Sequence, residues 1–509
     1  MTRTTTICVL ALLLALTAES ASARQGAGCW RTATARQKAA ARLQNPRQVE
    51  TGDRTHYIGK KKGLVILAEF TDMKFRSGHG REKYNDILNS PGYTTTEGFI
   101  GSVADYFRDQ SAGQFELTFD VVGPYTTKYP YKHYGENDEN DEDVHPEEMI
   151  AEMCIAAANE VNYADYDWDG DGEVDEVFVV YAGKGEADSY NTDIIWPHMW
   201  TMEEATGQPL QIGDMTINVY ACSNELRNSG LISGIGTFCH EFSHCLGFPD
   251  FYDINYNGQF GMSDFDLMSG GNHGGNGFCP VGYTAYEKMM CGWQEPTVLG
   301  SEDVTVGSMK PISEQGETFI IYNEAWPDEY YMIENRQLTG WDAKYPAKGL
   351  MITHIDFDKE VWVNNIPNTI YTQEEAIEDG LTCGNDHQRM TFFHADGNNR
   401  SVSTSLYPYL RRDSLTATSK PAATLFHENK EGQLLMPGAI LDIHQYSDGT
   451  MSFRYEARRT IANGIQTMKS PTLSADAIYS IDGRRIDVTD VQSLQPGIYI
   501  VGGKKKVVR

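Results

Sequence analysis

Read for its alternation of apolar and polar positions, the chain divides into three stretches of different character. The first begins with a near-continuous apolar run, Gly63–Phe70, which has the length of a strand buried on both faces of a sheet. Residues 114–122 alternate toward a second strand, and Val177–Tyr181 is another short buried one. Between them, Met149, Met153, Ala157 and Val161 recur every four residues, which predicts a helix over His145–Val161 with one apolar face. Ile232, Ile235, Phe238, Phe242 and Leu246 also recur at helical spacing and predict a further helix there. From about residue 300 to 455 the pattern shortens into β-type runs, Thr318–Tyr322, Tyr330–Glu334 and Gly349–Ile355. In the tail, Ile478–Ile486, Leu494–Val501 and Lys504–Arg509 read as strands joined by glycine turns.

The N-terminus follows different rules. Arg3, the apolar run Ile7–Leu16 and Ala21-Ser22-Ala23 form the three parts of a signal peptide over residues 1–23. That run is too short to span a bilayer, and no other segment approaches ~18 uninterrupted apolar residues, so no transmembrane segment is expected. Residues 24–60 are basic and poor in large apolar residues, as a propeptide or disordered lead-in would be. Cys29 lies outside any lipobox, so no lipid anchor is expected there; as a latency thiolate on a metal it has no supporting sequence around it.

At 509 residues the chain exceeds one domain, and its net charge of −29 argues against a nucleic-acid partner. Of nine cysteines, Cys8 falls in the leader, and the scattered spacing of the rest fixes no disulfide pairing. Cys239 and Cys245 read as small apolar core residues.

Chemistry concentrates in residues 240–250, His-Glu-Phe-Ser-His-Cys-Leu-Gly-Phe-Pro-Asp. On a helix His240 and His244 project from one face and can share a metal ion, with Glu241 placed to take a proton from water. Gly247 can end the helix at positive φ, and Pro249 stiffens the return that carries Asp250 back. Three protein ligands with a fourth position open is the arrangement of a catalytic zinc. Asp253 is the rival for the third ligand. Asp266-Leu-Met-Ser-Gly270 looks like the methionine turn that floors the zinc site of metzincins, most of which carry a histidine where this chain has Asp250. Tyr283, His273 and Tyr286 are all candidates for stabilising an oxyanion.

A second cluster calls for a hard cation. Between Asp165 and Glu176, carboxylates alternate with glycines, as a tight loop aiming oxygens at calcium requires. One register starts at Asp165 and ends at Glu176. The other uses Asp167, Asp169, Asp171, Glu173 (through its backbone) and Asp175, and is preferred because it puts Val174 at the apolar anchor. Glu136–Asp143 lacks glycine turns and reads as a solvated acidic loop.

With these residues in view, the chain resembles the immune inhibitor A-like metallopeptidases in their Bacteroidota form, over roughly residues 60–455. Besides the zinc run, Gly63–Phe70, Asp105–Gly113, Ile195–His198 and Glu287–Trp293 look like family blocks. The resemblance implies a secreted endopeptidase with His240, His244 and Asp250 as zinc ligands and Glu241 as base. It also implies that the β-rich region lies against the catalytic part. The tail resembles the sorting domains of type IX secretion substrates, a small β-sandwich.

The expected architecture is α+β: a zincin or metzincin-like catalytic domain over 61–300, a β-rich companion over 301–456 and a small C-terminal β-sandwich over 457–509. The expected function is hydrolysis of extracellular proteins or peptides at a zinc-activated water, with structural calcium, secretion or surface display, and the type IX machinery as export partner. The alternative is a surface adhesin or glycan-binding protein on a degenerate peptidase scaffold; the intact His240, Glu241, His244 and Asp250 speak against it.

Overall fold

β1 (Gly59–Glu69) shows why an uninterrupted apolar run makes a central strand. Its alternate residues serve two separate cores: Val65 and Leu67 face one, and Leu64, Ile66 and Ala68 face the other. Over residues 63–68 both faces are covered, so the polar alternation of a half-exposed strand is missing there. β2 (Phe115–Thr126), β3 (Val177–Lys184) and β5 (Val219–Leu226) extend the sheet in parallel, and the short β4 (His198–Thr201) closes it antiparallel to β5. The order is β2-β1-β3-β5-β4, with β4 at the edge. These coordinates, a computed structural model, describe residues 55–138 and 142–457 together with four tail strands between 478 and 508. The leader, Cys29, most of the lead-in and residues 458–477 lie outside the described residues.

Helices cover both faces. α1 (Arg81–Asn89), α2 (Val103–Gln110) and α4 (Gly236–Cys245) share the first core with Phe178 and Val180, and α3 (Pro146–Ala157) packs Met149, Ile150 and Met153 into the second. α3 starts with Pro146 in its first turn, followed by Glu147 and Glu148, which suit the positive end of a helix. It ends at Ala157, and Ala158–Glu160 turn away, so Val161 reaches the core from outside the helix. The motif helix likewise begins later than its apolar spacing suggested. Ile232 precedes it and Ile235 caps it, although both are buried.

The lead-in expected over residues 24–60 ends earlier than its composition implied. Tyr57 is buried, its hydroxyl donates to Leu246 O at 2.9 Å, and its own carbonyl accepts from the Trp293 indole at 2.8 Å. Those long-range bonds build Thr55–Tyr57 into the core beside the motif helix.

The β-rich region contains a five-stranded sheet, Met390–Phe392, Gly349–Asp356, Glu329–Arg336, Phe319–Tyr322 and Thr297–Val298 in spatial order. Phe319, Ile321, Tyr331 and Ile333 pack toward a three-stranded antiparallel sheet of Val304–Met309, Met451–Glu456 and Ala439–Gln445. The alternate residues Ile320, Tyr330 and Met332 enter the same core as α4, so the described residues from 55 to 457 form one compact unit. The tail is a separate unit. Its described strands, Ile478–Ser480, Arg485–Ile486, Gly497–Val501 and Lys504–Val508, form one antiparallel four-stranded sheet; a second sheet, as a sandwich would have, is not among the described residues.

Candidate metal centre

α4 presents His240 and His244 one turn apart, with ring centroids 4.7 Å from each other. Its N-terminal turn packs closely on the loop Gly270–Gly277: a Cβ on Gly236 would lie 1.8 Å from Asn272 O. Gly247, at φ 107°, ends the helix and turns the chain back. The return brings Asp250 Oδ1 to 3.2 Å from His240 Nε2 and 3.4 Å from His244 Nε2. All three residues are buried.

The surrounding bonds decide what this cluster can hold. His240 Nδ1 lies 2.9 Å from Leu267 O and His244 Nδ1 lies 2.7 Å from Phe248 O. Each Nδ1 therefore donates its proton to a carbonyl, and each Nε2 points its lone pair inward. Asp250 Oδ1, between them, has no hydrogen-bond donor. Three lone pairs converging in a buried space repel unless a cation sits among them, and two imidazoles with one carboxylate are a donor set that fits zinc. Burial opposes charge on His240, but the Asp250 carboxylate outweighs it and lifts the imidazole to about 9; burial likewise opposes a charged Asp250, and the two imidazoles hold it well below the usual carboxylate range.

The turn Asp266–Gly270 ties both ligand segments together. Leu267 O orients His240, while Met268 O accepts from Phe251 N at 2.7 Å, next to Asp250; the Met268 side chain is fully buried. From much further along the chain, Asn365 grips Asp250 twice. Its Nδ2 donates to Asp250 Oδ2 at 2.8 Å and its Oδ1 accepts from Asp250 N at 2.6 Å. No local motif signals this residue. Asp253, the rival ligand, instead accepts from Asn255 N and Gln259 N in its own loop.

Glu241 lines a cleft of about 520 Å³ together with His240, Trp196, Tyr252, Tyr256 and His273. Of the three oxyanion candidates only His273 borders this space. Tyr283 is buried behind the motif helix with its hydroxyl 2.5 Å from Ser243 Oγ, and Tyr286 packs against Phe251 and Trp362. Tyr252 and Tyr256, which the sequence did not single out, are the phenols that face the cleft. Cys239 and Cys245 are buried core residues.

The acidic loop brings Asp167, Asp169 and Asp171 within reach of one ion, and Asp169 with Asp175 and His56 within reach of another or the same one. Asp167 accepts from Gly170 N at 2.7 Å and Gly172 N at 2.9 Å, so the loop is wound around that carboxylate. Asp175 is turned inward, bonded to Trp168 N and 3.3 Å from His56 Nε2. Val174 is fully buried, as an anchor should be, and Glu173 opens the short strand Glu173–Val174. Asp165 pairs with Lys62 and Glu176 is buried, and neither is among the residues grouped around a possible ion. Trp168 carries the loop to the catalytic core: its ring lies 6.4 Å from that of Phe242 on α4. The other acidic segment corrects an expectation. Asp143 is not solvated; its Oδ2 accepts from Trp196 N at 2.8 Å and burial raises its pKa well above the usual range.

Comparison with known proteins gives this geometry a family context. Residues 57–295 match the family model described as the immune inhibitor A peptidase M6 catalytic domain. Immune inhibitor A of Bacillus thuringiensis subsp. alesti is 25% identical over 285 residues, covering 45% of this chain and 39% of its own length. The pre-pro-metalloprotease PrtV of Vibrio cholerae serotype O1 (strain M66-2) is 26% identical over 278 residues, covering 45% of this chain and 30% of its own. The chain thus spans well under half the length of the curated relatives it matches.

Proposed function

We propose that this chain is an exported zinc-dependent endopeptidase with His240, His244 and Asp250 as ligands and Glu241 as general base. One observation carries the reading: three inward lone pairs meet with no hydrogen-bond donor on Asp250 Oδ1, directly beside a carboxylate that faces a cleft. A zinc ion held there supplies Lewis acidity toward the scissile carbonyl and makes a water more acidic. Glu241 takes the proton of the attacking water and delivers it to the leaving amide nitrogen. The carbonyls of Leu267 and Phe248 keep both imidazoles in the tautomer whose Nε2 can bind metal. His273, at the cleft wall, is the candidate for the developing oxyanion.

The loop through Asp167, Asp169, Asp171, Glu173 and Asp175 is a structural calcium site in this reading, stabilising the strand and motif helix that Trp168 touches. Export rests on the signal-peptide pattern of residues 1–23 and on the tail, whose strands suit a type IX sorting domain of the Bacteroidota kind. No helix among the described residues is long and apolar enough to cross a membrane. Substrates are proteins or peptides outside the cell. The test is Glu241→Gln, which keeps shape and removes the base. Hydrolysis of casein should fall by about 100-fold or more while zinc content is unchanged. Loss of zinc in that variant would make Glu241 a ligand and overturn the assignment.

A further inference from the structure

Outside the residues that line the cleft, a second group of ligating side chains meets. His133 lies in the short helix Tyr131–Gly135, His145 caps α3, and Glu148 is in the first turn of α3. His133 Nε2 is 2.9 Å from Glu148 Oε2, and His145 Nδ1 is 3.8 Å from Glu148 Oε1. The two imidazoles stack with centroids 4.9 Å apart, and one ligand atom from each of the three residues falls within a 4.8 Å span. Glu147 brings a further carboxylate oxygen to 3.9 Å from His145 Nδ1.

We propose that His133, His145 and Glu148 form a second metal site, for a divalent transition ion of the zinc class, separate from the cleft. The donor chemistry selects the ion. Calcium and magnesium favour all-oxygen shells, whereas two imidazoles with a carboxylate suit zinc, copper or nickel. Ligand atoms bonded at about 2.0–2.2 Å in a tetrahedron lie roughly 3.3–3.6 Å from one another. The separations of His133 and His145 from the two Glu148 oxygens, 2.9 Å and 3.8 Å, bracket that value, and all three side chains are half-exposed.

Its position gives the ion a task. His133 and His145 stand on either side of the acidic segment, whose ends are also tied to each other by Val144 N donating to Glu136 O at 3.0 Å. The segment holds the wall of the cleft. Asn137 N donates to Thr192 O at 3.0 Å, and Asp143 accepts from the backbone of Trp196, a cleft residue that leads into β4. Clamping both ends of the segment with one ion therefore steadies the cleft wall from outside the reaction centre.

The test uses the full chain with calcium present and zinc chloride as the probe. The wild type should bind a second, weaker equivalent of zinc beyond the tight one, with a rise in melting temperature as it binds. His133→Gln and Glu148→Gln, both at part-exposed positions, should each weaken that second equivalent by at least about tenfold and leave the first in place. Uptake of a single equivalent by the wild type would overturn the proposal, as would a second equivalent of equal affinity in both variants. The first equivalent and proteolysis report on the His240 site. A chain that lacks activity yet binds zinc in a His133-dependent way would refute the proposed function and leave this inference standing.

Discussion

Asn365 offers a demanding test of the metal centre, because it is buried and both polar atoms of its side chain bond Asp250. It sits at φ 57°, where a non-glycine residue is strained, so alanine would mix backbone cost with side-chain loss. Asn365→Gly separates the two, since glycine accepts that conformation. The substitution removes the 2.8 Å bond to Asp250 Oδ2 and the 2.6 Å bond from Asp250 N. A hydrogen bond to a buried charged group contributes about 1.5–3 kcal/mol, and loss of an outer partner typically lowers metal affinity about 10–100-fold. The two estimates agree, because a tenfold change corresponds to about 1.4 kcal/mol. Zinc affinity measured by competition with a chromophoric chelator should weaken within that range. Activity at saturating zinc should fall less, because the ion can still be held by His240, His244 and a less constrained Asp250. Zinc affinity indistinguishable from wild type would show that Asn365 merely fills space and that Asp250 needs no positioning.

Two further perturbations probe the frame around the site. Calcium should raise the melting temperature, by mass action about 2.7 kcal/mol at a hundredfold excess over its dissociation constant, and Asp169→Ala with Asp171→Ala should abolish the rise. Intact protein whose melting ignores calcium after thorough chelation and zinc reloading would make the loop only an acidic turn. Asp266 gives the pH dependence. Burial raises it to about 7, and the neighbouring Glu334 carboxylate adds to the rise against the lowering by Met268 N and Arg336. Against an unfolded value of about 3.9, its folded-state proton contributes stability that is complete at low pH and is lost as pH rises through about 7. Asp266→Asn should therefore gain melting temperature relative to wild type as pH goes from about 5 to 8; a constant difference across that range would contradict the assignment.

The parts of the fold that were legible in the sequence share one physical basis. β1 and β3 are buried on both faces, so their apolar runs are continuous, and the alternate residues of Phe319–Tyr322 and Glu329–Arg336 feed two cores in the same way. His240, His244 and Asp250 could be grouped because the helix spacing, Gly247 and Pro249 are all local. What could not be read is long-range. Asn365 is 115 residues from Asp250 and carries no periodic signal. Tyr57 is a core residue behind a polar lead-in, because its partners Leu246 and Trp293 come from distant segments. Asp143 looked solvated from its acidic neighbours, and only the Trp196 backbone explains why it turns inward. Tyr283 was attractive for its place after the turn, yet its bond to Ser243 directs it behind the helix instead of into the cleft.

The central claim is that proteolysis depends on a zinc ion held by His240, His244 and Asp250. Its most direct test is to strip the purified chain with a chelator, dialyse it into calcium, and titrate zinc while following casein hydrolysis. The account predicts no activity in the stripped protein and full recovery at the first tight equivalent, with no recovery in His244→Ala at the same zinc concentration. Hydrolysis that survives stripping, or that returns equally in His244→Ala, would contradict it.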